Sequence, residues 1–132
     1  EISLGLVGSE MCIRDRSRGL EKIEGIRPPI VKKNVYHSFN QFSVLMDLSK
    51  FKCNRDEFVN ALRAENIECS VHYPVPLTTQ PALKKYSKTS DCPVARDVSR
   101  RIFSLPVHPY LSERELKKII EGVEKVASYY LK

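Results

Sequence analysis

The chain has 132 residues, 42% hydrophobic and 29% charged, the balance of a single globular domain. No apolar run reaches the ~20 residues that a bilayer crossing requires, so no membrane span is expected. The formal charge is +6, but its basic residues are scattered in pairs such as Lys32-Lys33, Lys84-Lys85, Arg100-Arg101 and Lys117-Lys118. Without interleaved aromatics or a recognisable binding motif, that charge does not point to a nucleic-acid partner.

Cysteines stand at 12, 53, 69 and 92, with no close pair of the kind a zinc or redox site uses. They read as small, partly buried side chains in a reducing cytoplasm, with no disulfide framework.

Residues 1–16, EISLGLVGSEMCIRDR, lack helical or strand periodicity and have neither the basic start nor the long apolar stretch of a secretory signal. The string resembles a translated sequencing adapter. It is expected to be a non-native segment, making the chain a fragment whose true sequence starts near Ser17; the alternative is a genuine helix-to-loop connection. Residues 17–29 then read as a connection from a missing larger domain, and 30–132 as the folded unit.

Arg27-Pro28-Pro29 stops any preceding helix, because proline lacks an amide hydrogen and biases its predecessor toward extended backbone. Phe42, Val44, Met46 and Leu48 alternate with Gln41, Ser43, Leu45 and Asp47, the period of a half-buried strand, which starts as early as Val35. Asn54 and Glu57 form a capping box for a helix with Phe58, Val59 and Leu62 on one face, ending near Glu65 or Asn66. Ile67 to Tyr73 is expected as a second strand. Prolines 74, 76 and 81 then impose a rigid extended loop without regular structure.

A helical turn is expected around Ala82 to Tyr86, then a polar loop over Ser87 to Asp91. Pro93 suits the first position of another helix, whose inward face would be Val94, Val98 and Ile102. Ser104 to Val107 reads as a third strand, broken off by Pro109. Ser112 and Glu115 form a second capping box, ahead of a helix with the stripe Leu116, Ile119, Ile120, Val123, Val126 and Tyr130. The alternation of strands and helices predicts an α+β fold: a small two-layer sandwich of about three strands with helices on one face.

The run Asn54-Arg55-Asp56-Glu57 through Ile67, then Val71 to Leu77 (VHYPVPL), then Ser104 to Pro109 (SLPVHP), resembles the C-terminal small domain of the DegT/DnrJ/StrS-type nucleotide-sugar aminotransferases. The resemblance extends from about Gly25 to the end of the chain. It implies the terminal domain of a fold-type I enzyme, dependent on pyridoxal phosphate and working as a homodimer. Such enzymes transfer an amino group from a donor, typically glutamate, to a keto group on a nucleotide sugar, in surface polysaccharide or amino-sugar biosynthesis. The family's Schiff-base lysine, pyridine partner and phosphate-binding residues lie upstream of the matching segment. The chain alone is therefore expected to be inactive, with no catalytic or cofactor-binding residue of its own. Dehydratase-like relatives lacking the lysine share the scaffold, and nothing in this segment separates the two.

Within the resemblance, His72 and Tyr73 are the site candidates, contacting substrate or the neighbouring subunit; equally, they satisfy a backbone group and pack a ring. Relatives often carry another histidine just beyond, where this chain has Thr78-Thr79-Gln80, and a hydroxyl cannot hold a proton near neutral pH as imidazole does. His37 and His108 read as structural, and no metal site is expected because no histidine has a close-spaced partner. Arg55 and Asp56 read as first-turn helix residues, and Arg100 and Arg101 as a solvated helix face. The rival reading is a stand-alone α+β domain that binds or senses a small metabolite.

Overall fold

The computed structural model describes residues 15–35, 37–86 and 92–132. Residues 15–20 are helical (α1), followed by β1 (Ile26–Arg27), β2 (Phe42–Met46), α2 (Arg55–Ala64), α3 (Pro93–Ser99), β3 (Ile102–Leu105) and α4 (Glu113–Tyr130). The three strands form one antiparallel sheet in the order β1-β2-β3. This is the α+β class that the sequence predicts.

Register assigns the faces. Phe42 pairs with Leu105 and Val44 with Phe103, and all four are buried. They join Leu20 and Ile23 near α1, Phe58, Val59 and Leu62 of α2, and Ile119, Val123 and Val126 of α4 in one apolar cluster. Phe58 lies at its centre, with ring centroids 5.5 Å from Phe51, 5.8 Å from Phe103 and 6.5 Å from Tyr130.

Both capping boxes form as the sequence predicts. Asn54 Oδ1 accepts from the Asp56 and Glu57 amides while Glu57 accepts from the Asn54 amide, and Ser112 and Glu115 repeat the exchange. Asn66, at φ 61°, ends the turn after α2, a conformation that asparagine tolerates better than most residues.

Strand membership differs from the expectation. Ile67 to Tyr73 does not form a strand: Ile67 and Cys69 turn inward with period two, but only Ser70 pairs, in an isolated bridge to Ser104. The chain bends at His72, ahead of Pro74, before a second pair can form. The third strand is Ile26–Arg27, just before the prolines, held by pairing with Met46 and Leu45.

Four smaller boundaries also move. Strand β2 begins at Phe42 and not near Val35, because Asn34 and Phe39 take positive φ (63° and 47°), which extended pairing does not accept. Strand β3 covers Ile102–Leu105 and not Ser104–Val107. The Pro74–Pro81 loop contains one 3₁₀ turn, Leu77–Thr79, in which the Thr79 amide and hydroxyl both donate to the Pro76 carbonyl (3.0 and 2.9 Å). In α3, Val94 is 74% exposed, so the Val94-Val98-Ile102 stripe does not enter the core.

The expected helical turn is present at Lys84–Tyr86. The expected loop over Ser87 to Asp91 lies outside the described residues, as do residues 1–14 of the proposed non-native segment. Asp15 and Arg16, its last two positions, are helical, and Arg16 is buried.

Candidate functional site

The Ser70–Ser104 bridge fixes where the His72 segment leaves the sheet. Ser70 and Ser104 exchange both backbone hydrogen bonds, at 3.0 and 2.8 Å. On its other side Ser104 faces Ser43, and their hydroxyls meet at 3.0 Å, as expected where a non-hydrogen-bonded pair brings side chains close. Two residues after Ser70 the chain turns away at His72 and, with the proline-stiffened run that follows, forms one wall of a cleft of about 430 Å³.

The opposite wall is the half-buried face of α3 and the start of β3, notably Val98, Ser99 and Ile102. The structure therefore brings the two predicted site residues, His72 and Tyr73, into one cleft with Val98 and Ile102 of the apolar stripe that the core does not use. Both are exposed, Tyr73 at 63%. Val75 and Leu77 beside them are also exposed, which gives the rim an apolar character. Besides the imidazole and the phenol, the cleft presents the Gln80 amide, the Cys92 thiol and the hydroxyls of Thr78 and Ser99, the last donating to the Arg96 carbonyl at 3.0 Å.

This cleft does not fit pyridoxal phosphate by itself. Among the described residues, its lining holds no lysine to form the imine, no arginine for the phosphate and no carboxylate for the pyridine nitrogen. A second groove, of about 670 Å³, lies between the end of α2 and α4. It carries Glu65, Glu68, Glu115 and Glu121 against Lys118 and Lys125, and Lys125 already bonds both Glu65 oxygens at 2.8 Å. An excess of carboxylates disfavours an anionic cofactor there too.

The other histidines stand elsewhere. His37 is exposed, and its Nδ1 accepts from the Phe39 amide at 2.9 Å. His108 is exposed at the second groove, with its carbonyl bonded to the Leu111 amide. Among the described residues no three His, Cys, Asp or Glu side chains are grouped as a metal ion requires, and no helix is long and apolar enough to cross a membrane. Arg101 pairs with Asp97 one helical turn earlier, and Arg100 is exposed.

Arg55 is the residue whose place the sequence reading missed. It is 5% exposed; its Nε donates to Asp56 at 2.7 Å, and its Nη1 donates to the carbonyls of Ser99 (2.8 Å) and Ile102 (3.2 Å). One signal was available: Arg55 stands at the head of the apolar stripe Phe58, Val59, Leu62, three residues before its first member, where an inward side chain is expected.

The profile of the DegT/DnrJ/EryC1/StrS aminotransferases matches residues 13–124. The chain belongs to this family. Its members are pyridoxal-phosphate-dependent aminotransferases. Among relatives, the UDP-2-acetamido-2-deoxy-3-oxo-D-glucuronate aminotransferase of Pseudomonas aeruginosa is 34% identical over 95 residues, 72% of this chain and 24% of its own length. Protein MJ1066 of Methanocaldococcus jannaschii is 33% identical over 110 residues, 82% of this chain and 28% of its own. The crystal structure of a family aminotransferase from Brucella abortus superposes with a TM-score of 0.77 at 29% identity, covering 96% of this chain and 31% of that one. The chain thus spans about a quarter of the length of the curated relatives it matches.

Proposed function

We propose that this chain is the C-terminal small domain of an aminotransferase that moves an amino group from a donor, glutamate in our reading, to a keto nucleotide sugar for surface polysaccharide or amino-sugar biosynthesis. In this reading the parent is a cytoplasmic homodimer, its larger domain holds the pyridoxal phosphate, and the present chain alone catalyses nothing. The observation that carries the reading is the composition of the cleft. His72 and Tyr73 stand on a stiff rim over apolar walls, with none of the ionic groups that the cofactor demands among the described residues. Such a cleft can complete a site whose charged groups come from elsewhere. The names of the sugar-aminotransferase relatives support the substrate class.

In this assignment the chain's own contribution is to bind and orient. The imidazole of His72 and the phenol of Tyr73 donate or accept hydrogen bonds to a polar substrate or to the neighbouring subunit, and the prolines at 74 and 76 reduce the entropy lost in holding them. The apolar walls exclude water from that contact.

The test is to read the genomic DNA upstream of the Ser17 codon, express the whole encoded protein and assay amino transfer from glutamate to UDP-linked 3-oxo sugars. Activity in the whole protein, its loss in the 132-residue chain, and a raised KM for the sugar in His72→Ala or Tyr73→Phe are the expected results. Transamination by the short chain alone would refute the reading. An upstream domain with another residue at the lysine position would turn it toward a dehydratase-like enzyme.

A further inference from the structure

We propose that Arg55 is a positioning residue for the cleft, locking the junction of α3 and β3 that forms the wall opposite His72. The inference rests on the reading of the cleft given above. Ser99 ends α3, and Ile102 opens β3 after a turn through Arg100 and Arg101. A single Nη1 atom bonds both Ser99 and Ile102 carbonyls, so the guanidinium clamps the two ends of that turn together. Both residues line the cleft. The clamp itself is held in place from α2: the neighbouring Asp56 carboxylate fixes Nε, and the surrounding protein leaves the arginine 5% exposed. Ser99 is the one buried residue of α3, and the helix adds no side chain to the apolar cluster.

A cationic nitrogen donating to two carbonyls at the end of a helix is favourable in charge, and the rigid guanidinium plane, held at Nε by Asp56, fixes where that nitrogen sits. Lysine at this position keeps the charge and loses the rigid plane and the separate Nε donor that Asp56 holds. Methionine keeps the volume and leaves both carbonyls without their donor. The clamp therefore sets the width of the cleft, while contributing no atom to its lining.

The experiment uses the whole parent enzyme with Arg55→Lys and Arg55→Met. In Arg55→Met the KM for the nucleotide sugar should rise about tenfold, the size of one charge-assisted hydrogen bond, with the half-reaction with the amino donor unchanged. Arg55→Lys should show a smaller rise in the same parameter. If the methionine variant fails to fold, the lysine variant decides: a wild-type KM for the sugar, or an equal loss in both half-reactions, overturns the proposal. A wild-type parent that does not transaminate would refute the aminotransferase reading without touching the clamp. Hydrogen exchange in Arg55→Lys then decides: faster exchange at residues 99–102 together with 72–79 supports the clamp, and a change confined to α2 overturns it.

Discussion

Gly122 of α4 lies directly against Ile67, so that a Cβ at position 122 would overlap the Ile67 Cδ1 methyl. Ile67 is the first residue after the α2 turn, and Val123 beside Gly122 is fully buried, so the pair sets how closely α4 approaches the segment leading to His72. Alanine at 122 should gain about 1 kcal/mol of helix propensity and lose ~1–3 kcal/mol to overpacking. The expected net effect of Gly122→Ala is a loss of roughly 1 kcal/mol in urea denaturation. Adding Ile67→Val removes the Cδ1 and should recover part of it, with a coupling of at least about 0.5 kcal/mol. Simple additivity of the two changes would disprove the contact.

Arg16 is 1% exposed; its Nη1 donates to the Pro106 carbonyl, and its guanidinium lies 4.9 Å from the centroid of the Phe42 ring. Arg16→Ala should cost about 1–3 kcal/mol, because the Pro106 carbonyl loses a charged donor and Phe42 a covering group. Thermal melts of Arg16→Ala beside wild type provide the check. An unchanged melting temperature would leave residues 1–16 as a segment foreign to the fold.

The Ser112 hydroxyl and amide hold the Glu115 carboxyl below the usual carboxylate value. A depressed folded value means that this contribution is present above the ordinary value of 4.5 and is lost as pH falls through the folded one. Ser112→Ala should therefore move the Glu115 titration, followed by NMR, back up toward 4.5. It should also lower the melting temperature at neutral pH and flatten its fall in acid. An unmoved Glu115 titration would refute the assignment.

Burial pushes the Cys69 thiol up to about 12, with Arg63 opposing in part, and burial and then Glu57 raise Cys53. Cys92 is exposed. At pH near 8 a thiol reagent should modify Cys92 in the native chain and reach Cys53 and Cys69 only after denaturation, since the thiolate is the reactive form. Peptide mapping by mass spectrometry reads the sites. Native labelling of Cys69 at the rate of Cys92 would show that the packing around Phe58 opens readily.

The features legible in the sequence are those fixed by near neighbours along the chain. Asn54 with Glu57 and Ser112 with Glu115 are three residues apart, and their capping geometry needs no distant partner. The stripes of α2 and α4 and the alternation of β2 carry their own period, and the family resemblance rests on runs of a few adjacent residues. The α+β class follows from their order. Tertiary structure alone decided the rest. Ile26–Arg27 has too few residues to show a period and is a strand only because Met46 and Leu45 accept it, while Ile67 to Tyr73 has the period and finds one partner, Ser104. The Val94-Val98-Ile102 stripe states that α3 has an apolar face without stating what it meets; the fold turns Val98 and Ile102 to a cleft with His72 and leaves Val94 to solvent. Arg55 is local as a helix residue and non-local as a clamp: its carbonyl partners lie 44 and 47 residues away, and hydrogen bonds across that span depend on backbone that only the packed sheet and helices bring into reach.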